Sequence, residues 1–358
     1  MWKDLDISLE KAETLKDMPA VENLGFGRYF TDHMFLMEWS RDQGWHNAEI
    51  MPYASFSMDP ASTVLHYGQA IFEGLKAYRS KDDQIYLFRP TDNFERMNNA
   101  ATRMSMPRFP VDQVLKALKG LVYLDRRWVP AAEGASLYLR PTMIGVDPFL
   151  GLKPADNYLF FIIMSPVGAY YAEGFSPTRI CVCSDYVRAV KGGVGDVKTA
   201  GNYAASMLAS EQAKERGCTQ VLWLDACERK YIEEVGTSNI FFSIDNTLIT
   251  PPLSGSILGG ITRNSVIRLA QSWDIEVEER PISIDEVIEA SDSGSLQESF
   301  ATGTAAVISP VGELLYEDVS YPINDGQTGP LSARLFEELQ AIQYGHTEDP
   351  FGWTVKVG

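Results

Sequence analysis

The sequence predicts an α+β (mixed α/β) chain of two domains joined by a short linker. Three observations carry this reading. The 358 residues are enough to fill two hydrophobic cores. Helix-like and strand-like runs follow one another without the strict alternation of a doubly wound parallel sheet. The stretch "AYYAEGFSPT" (169–178), with its glycine, proline and small residues, interrupts both kinds of run. The boundaries that follow are a smaller N-terminal domain over 1–170, a linker over 171–178 and a larger C-terminal domain over 179–358.

Taken in order, Leu24 to about Trp39 alternates toward a strand, and "AEIMPYASFSMDPAS" (48–62) is a second strand followed by a turn. "VLHYGQAIFEGLKAYRS" (64–80) reads as a short helical piece running into a strand, and "QIYLFRP" (84–90) as a strand. "TDNFERMNNAATRM" (91–104) has helical spacing, with Thr91 or Asp92 as N-cap and Pro107 beyond its end. An amphipathic helix over 111–130 and the two strands "ASLYLRPTMIG" and "NYLFFIIMSPVG" complete the first half. The second half opens on the strand "RICVCSDYVRA" and a helix over 202–216 that stops at Gly217. Short strands follow in "QVLWLD", "RKYIEEVG", "SNIFFSI" and "TLITPP". Then come the helices "ITRNSVIRLAQSWD" and "SIDEVIEASD", a strand "SFATGTAAVISPVGEL" broken by a small-residue turn, and the closing helix "PLSARLFEELQAIQYG".

The formal net charge of −17 repels nucleic acid and anionic membranes, so neither is expected as a partner. The cysteines Cys181, Cys183, Cys218 and Cys227 form no CxxC pair, and only four histidines accompany them. A zinc cluster or disulfide framework is therefore not expected, and the thiols read as scattered core residues. No apolar run reaches the length of a membrane span, and the N-terminus lacks a signal-like pattern. The expected setting is cytoplasmic.

The stretch "VRAVKGGVGDVKTAGNYAAS" (187–206) raises a sharper question. A P-loop would need a glycine at 197, where the chain has Val197, a side chain that blocks close phosphate approach. Val197, Thr199, Ala200, Tyr203 and Ala204 are small or apolar. A lysine desolvated among them becomes a nucleophilic amine. Lys198 therefore reads as a Schiff-base lysine, acting on a carbonyl substrate or on pyridoxal phosphate. "GSILGGITRNSVIRLA" (255–270) puts two glycines before a helix whose first N–H groups, at Ile261 and Thr262, attract an anion. "TGTAA" (302–306) is a second small-residue turn able to cradle a carboxylate. In "YIEEVGTSNIFF" (231–242), Glu233 and Glu234 point to opposite faces of a strand. The one that faces inward needs a cation, which a protonated pyridine would supply.

In this order the motifs are specific. "FGRYFTDHMFLMEW", "LHYGQAIFEGLKAY", "LFRPTDNFERM", "LYLRPTMIG", "GGVGDVKTAGNYAAS", "EEVGTSNIFF", "ILGGITRNSV" and "GTAAVISPVG" cover nearly the whole chain. The chain resembles the branched-chain amino acid aminotransferases of the fold type IV pyridoxal-phosphate enzymes. The resemblance implies that Lys198 holds pyridoxal 5′-phosphate and shuttles the proton. It implies that Tyr203 meets the ring oxygen, that Glu234 faces the ring nitrogen, and that Arg96, Ile261, Thr262 and Thr304 hold the phosphate. The substrate carboxylate would rest on Thr304 and Ala305 with help from Tyr67. Phe26, Phe72, Tyr138, Tyr170 and Thr237 would shape the side-chain pocket, and Arg140 would meet glutamate's distal carboxylate. Leu150 and Leu152 would come from the other subunit of a homodimer. The implied partners are small molecules, the branched-chain amino acids and 2-oxoglutarate or glutamate, and no metal is implied. D-amino acid aminotransferases and aminodeoxychorismate lyases share this fold, and a cofactor-free Schiff-base aldolase would also use a lysine. The long segment before residue 65 points toward the longer, eukaryote-like branch. Ala306 and Ser309 stand where some members carry a redox CxxC, so no thiol switch is expected, and neither is a transit-peptide-like leader or an organellar form.

Overall fold

The computed structural model describes residues 5–168 and 175–358. Tyr170 and half of the expected linker lie outside the described residues. Contacts gather the chain into two units. One holds the described part of Met1–Tyr170 with Val197–Ala200 and Ala341–Gly358; the other holds that of Tyr171–Asp196 with Gly201–Gln340. The expected piece 179–358 is thus not continuous, and Lys198 groups with the first unit rather than the second. Backbone pairing is the cause. Thr199 bridges Ile71, the Phe72 N–H donates to the Lys198 carbonyl at 3.0 Å, and the terminal strand Thr354–Val357 pairs with Ile85–Phe88.

The first unit is built on a nine-stranded sheet. Its order is Ser8–Leu9, Gly44–Pro52, His33–Ser40, Asn157–Val167, Ser136–Gly145, Leu75–Arg79, Ile85–Phe88 and Thr354–Val357, with Ala70–Phe72 also beside Ser136–Gly145. Alternation along Ser136–Gly145 separates two faces. Leu137, Leu139 and Met143 are fully buried, while Tyr138, Arg140 and Thr142 are half-buried on the other side. The helices Pro90–Arg103 and Val111–Leu124 contact each other, and the second packs on His33–Ser40. Phe94 meets Phe109 edge to face and Phe109 meets Phe160 at a tilt through this layer, each burial worth about 1.5–3 kcal/mol. The helix at 90 begins two or three residues earlier than its polar caps imply. Pro90 occupies the first turn, where its missing N–H costs nothing, and Arg89 precedes it at φ 49°, so neither Thr91 nor Asp92 is the cap.

The second unit carries another nine-stranded sheet, mixed in direction. Its order is Ile232–Val235, Gln220–Leu224, Thr178–Cys183, Val307–Tyr316, Leu296–Gly303, Asn239–Ile244, Thr247–Thr250 and Val277–Glu279, with Val319–Pro322 beside Val307–Tyr316. Leu222, Phe242, Ile282, Val287 and Leu314 meet in its core. Ser283 caps the helix Ile284–Ser293 by accepting from the Glu286 N–H at 3.1 Å, as its S-x-x-E spacing dictates. The expected helix over 202–216 is two helices, Ala200–Ala204 and Met207–Glu215. Cys181 and Cys218 are buried, Cys183 is half-buried and Cys227 is exposed, so not all four thiols are core.

Candidate functional site

In the first unit, register places the chemistry on one sheet face. Phe72 pairs with Thr142, and Lys76 with Tyr138. The Phe26 ring meets Tyr138 edge to face at 4.9 Å. Arg140 donates from Nη2 to the Tyr138 hydroxyl at 2.9 Å, and its guanidinium lies 4.7 Å from the Phe72 ring centre. Lys198 Nζ lies 5.0 Å from the same ring. Four residues named from sequence, Phe26, Phe72, Tyr138 and Arg140, are thereby brought together with Lys198. The reason given for Lys198 needs correction. Val197 and Thr199 are buried, but Lys198 between them is half-buried and Ala200 is exposed. A tight turn closed by the Thr199 N–H on the Val197 carbonyl at 3.1 Å holds Val197, Lys198 and Thr199, and of the three only Lys198 keeps partial exposure.

Arg96 is half-buried and already engaged by the chain. It makes a fork-to-fork pair with Glu73, Nε to Oε1 at 2.7 Å and Nη2 to Oε2 at 2.8 Å, and Glu73 is fully buried. Such bidentate pairs fix the guanidinium plane. Glu73 was not singled out from sequence; an acid next to Gly74 in an otherwise apolar run was the signal. Tyr67 donates its hydroxyl to the Leu150 carbonyl, and Leu150 and Leu152 are strongly exposed, Leu152 at 84%.

In the second unit Asn239, at the start of the strand Asn239–Ile244, links several of the stretches named from sequence. Its Nδ2 donates to the Leu258 carbonyl at 2.9 Å and reaches Glu234 Oε1 at 3.3 Å. The exposed Thr237 sits in the tight turn closed by the Val235 and Ser238 backbones. Asn239 pairs with Thr302, one strand residue before the turn that carries Thr304 and Ala305. That turn runs into Val307 at φ 64°, a strained position for a β-branched residue. Ile261 and Thr262 open the helix Ile261–Ser272. Gly260 before them has to be glycine, because a Cβ there would come within 2.0 Å of Asn239 Oδ1. Tyr203 is half-buried on the short helix Ala200–Ala204.

Glu234, 1% exposed, forms an ion pair with Arg188 Nη1 at 2.5 Å. The cation that the buried carboxylate requires is therefore supplied by the chain itself, and the demand for a pyridinium no longer follows from burial alone. Arg188 also donates to the Gly195 and Ser256 carbonyls, tying the glycine loop to the acid. Glu233 is buried as well, contrary to the reading that one of the pair faces out. Burial raises its carboxyl above the usual range, while the donating Ser256 hydroxyl pulls it back. Among the described residues no cluster of His, Cys, Asp and Glu could hold a metal ion, and no helix is long and apolar enough to cross a membrane.

The amino-transferase class IV family matches residues 70–314. Branched-chain-amino-acid aminotransferase 2 of Bacillus subtilis (strain 168) is 54% identical over 351 residues, 98% of this chain and 97% of that protein. The branched-chain amino acid aminotransferase of Escherichia coli superposes with a TM-score of 0.76 at 27% identity, covering 91% of this chain and 99% of its own. The branched-chain amino acid aminotransferase of Thermobaculum terrenum, solved in its PLP-form, gives 0.75 at 25% identity, covering 91% and 98%. Since the Bacillus relative matches nearly end to end, the long segment before residue 65 does not mark a eukaryote-like branch. The expected fold is that of these structures, and the chain belongs to the amino-transferase class IV family.

Proposed function

We propose that the protein transfers the amino group of leucine, isoleucine or valine to 2-oxoglutarate, reversibly, with pyridoxal 5′-phosphate as cofactor. The observation that carries the reading is the buried Glu234 carboxylate, held by Arg188 and Asn239 in a chain whose half-buried Lys198 lies on an aromatic ring. The donor set fits the cofactor: an amine for its aldehyde, a carboxylate for its ring nitrogen, and a helix N-terminus for its phosphate. The buried Thr302 hydroxyl, with no hydrogen-bond partner among the described residues, adds a polar group beside the Thr304 turn.

When bound, the cofactor supplies an electron sink that makes the substrate Cα acidic. Lys198 anchors it, and Nζ then moves the proton from Cα, as base and afterwards as acid. Glu234 accepts from the ring nitrogen and keeps a proton there, a preorganised charge that costs no rearrangement during the reaction. Tyr203 donates to the ring oxygen. The N–H groups of Ile261 and Thr262, with Thr304 and Arg96, hold the phosphate. Thr304 and Ala305 bind the substrate carboxylate, Phe26, Phe72, Tyr138, Tyr170 and Thr237 enclose its side chain, and Arg140 receives the distal carboxylate of glutamate. The exposed loop with Leu150 and Leu152 is proposed to serve the other subunit of a cytoplasmic homodimer. Because Tyr67 is bonded to Leu150, it would travel with that loop.

A half-reaction tests this. Wild-type holoenzyme given leucine alone should release one equivalent of 2-oxo acid, and 2-oxoglutarate should restore the starting spectrum. Lys198→Ala should lose about 10²–10⁴-fold or more in rate, and borohydride should add the cofactor's mass to the peptide bearing Lys198. A tag on another lysine, or an undiminished rate in the variant, refutes the assignment.

A further inference from the structure

We infer that Lys76 is a second cation, beside Arg140, for the distal carboxylate of glutamate and 2-oxoglutarate, and so a specificity-determining residue for the dicarboxylate half of the reaction. The inference rests on the aminotransferase reading and adds a residue to it. Lys76 is 6% exposed, within the strand Leu75–Arg79. Its chain neighbours Leu75 and Ala77 point into the apolar core. Lys76 points the other way, onto the face that carries Phe72, Tyr138 and Arg140, because residues paired across antiparallel strands share a face and Lys76 pairs with Tyr138.

The position between Phe72 and Lys76 on that face is Gly74. A Cβ there would come within 2.0 Å of the Tyr138 hydroxyl. Tyr138 therefore leans across Gly74 toward the strand that carries Lys76, and it brings the bonded Arg140 guanidinium with it. Arg140 Nε is buried with no hydrogen-bond partner among the described residues. A buried donor of this kind calls for an acceptor, and a carboxylate is the acceptor that suits a guanidinium and an ammonium on one face. Burying an ammonium is costly where an apolar residue would pack without penalty. Burial pulls the Lys76 amine down to about 8. The same group can thus sit beside a leucine side chain at small cost and still carry charge for a dicarboxylate. Its methylene stem and the rings of Phe26 and Phe72 supply the apolar part.

The test compares two unreactive ligands on the purified holoenzyme by calorimetric titration: glutarate, which has a distal carboxylate, and 4-methylvalerate, which does not. In Lys76→Met the glutarate dissociation constant should rise about tenfold or more, that for 4-methylvalerate should stay within about twofold, and Lys76→Arg should recover most of the glutarate affinity. If Lys76→Met does not fold, Lys76→Gln carries the same comparison. Equal losses for both ligands, or no loss for either, overturn the role of Lys76 while leaving the transaminase reading intact. A wild-type enzyme that releases no 2-oxo acid from leucine overturns the transaminase reading itself, whatever the glutarate result.

Discussion

The two units hold the side chains proposed for the site by different devices. In the first, Phe72, Lys76, Tyr138 and Arg140 are stations on a period-two sheet face, and Arg96 is locked by side-chain pairing to Glu73. In the second, Thr237, Ile261, Thr262, Thr304 and Ala305 occupy turns and a helix start. One side chain, Asn239, fastens the preceding backbone at Leu258 and belongs to the strand that pairs before the Thr304 turn. A sheet face aims side chains, so exchanging one residue changes chemistry locally. A cluster of chain turns aims backbone N–H groups, so its fidelity depends on what holds the turns.

The largest effect that would break this contrast is expected at Glu73. Glu73→Gln keeps the shape but removes the negative charge that the Arg96 guanidinium, 14% exposed, is paired with. Removing one partner of a buried pair costs about 3–5 kcal/mol. Urea unfolding of the cofactor-stripped protein should show that loss, and cofactor affinity should fall as the Arg96 plane is released. A loss below about 1 kcal/mol would mean that the fork is not what orients Arg96.

The difference between the units also governs how much could be read in advance. Helices with strong spacing, such as Val111–Leu124 and Ile284–Ser293, and the alternating strand Ser136–Gly145 were legible because their periodicity is local. The strand Thr354–Val357 was not, since its partner Ile85–Phe88 lies far away in sequence and its pattern is too short to stand alone. Lys198 was named from the composition of its neighbours, but composition does not say how exposed each one is: Val197 and Thr199 are buried, Lys198 is half-buried and Ala200 is exposed. Arg188 and Asn239 were missed. Each is a polar residue in an apolar setting, "YVRAV" and "SNIFF", and a buried polar group must find partners, but nothing local says which ones.

An intermediate effect sharpens the account of the first unit. The Lys76 amine falls from 10.5 to about 8 in the fold. Between those values the unfolded chain binds the proton that the native chain releases, so this group makes stability rise with pH from about 8 to about 10.5 and imposes its full cost below 8. The span corresponds to on the order of 3 kcal/mol. Lys76→Met should be more stable than wild type at pH 7 by an amount that shrinks toward pH 10.5, as measured by urea midpoints across that range. A difference that does not vary with pH would show that burial is not what depresses the amine.

The smallest expected effect tests the second unit's hub. Asn239→Ala removes the donor to the Leu258 carbonyl at 2.9 Å and the weaker contact to Glu234 at 3.3 Å. A buried hydrogen bond contributes about 0.5–1.5 kcal/mol, and leaving its acceptor unsatisfied about 1–3, so stability should fall by about 2 kcal/mol. If Asn239 acts as a fastener, the loss should be unevenly distributed. Amide exchange should quicken at 258–262, where the chain enters the helix Ile261–Ser272, and phosphate-dependent cofactor affinity should drop, while the core strand Gln220–Leu224 keeps its protection. Uniform acceleration across the unit would assign Asn239 to general packing. Unchanged exchange at 258–262 would show that Gly260 and the helix hold that turn without it, and the contrast between an aimed face and a fastened turn would then lose its main support.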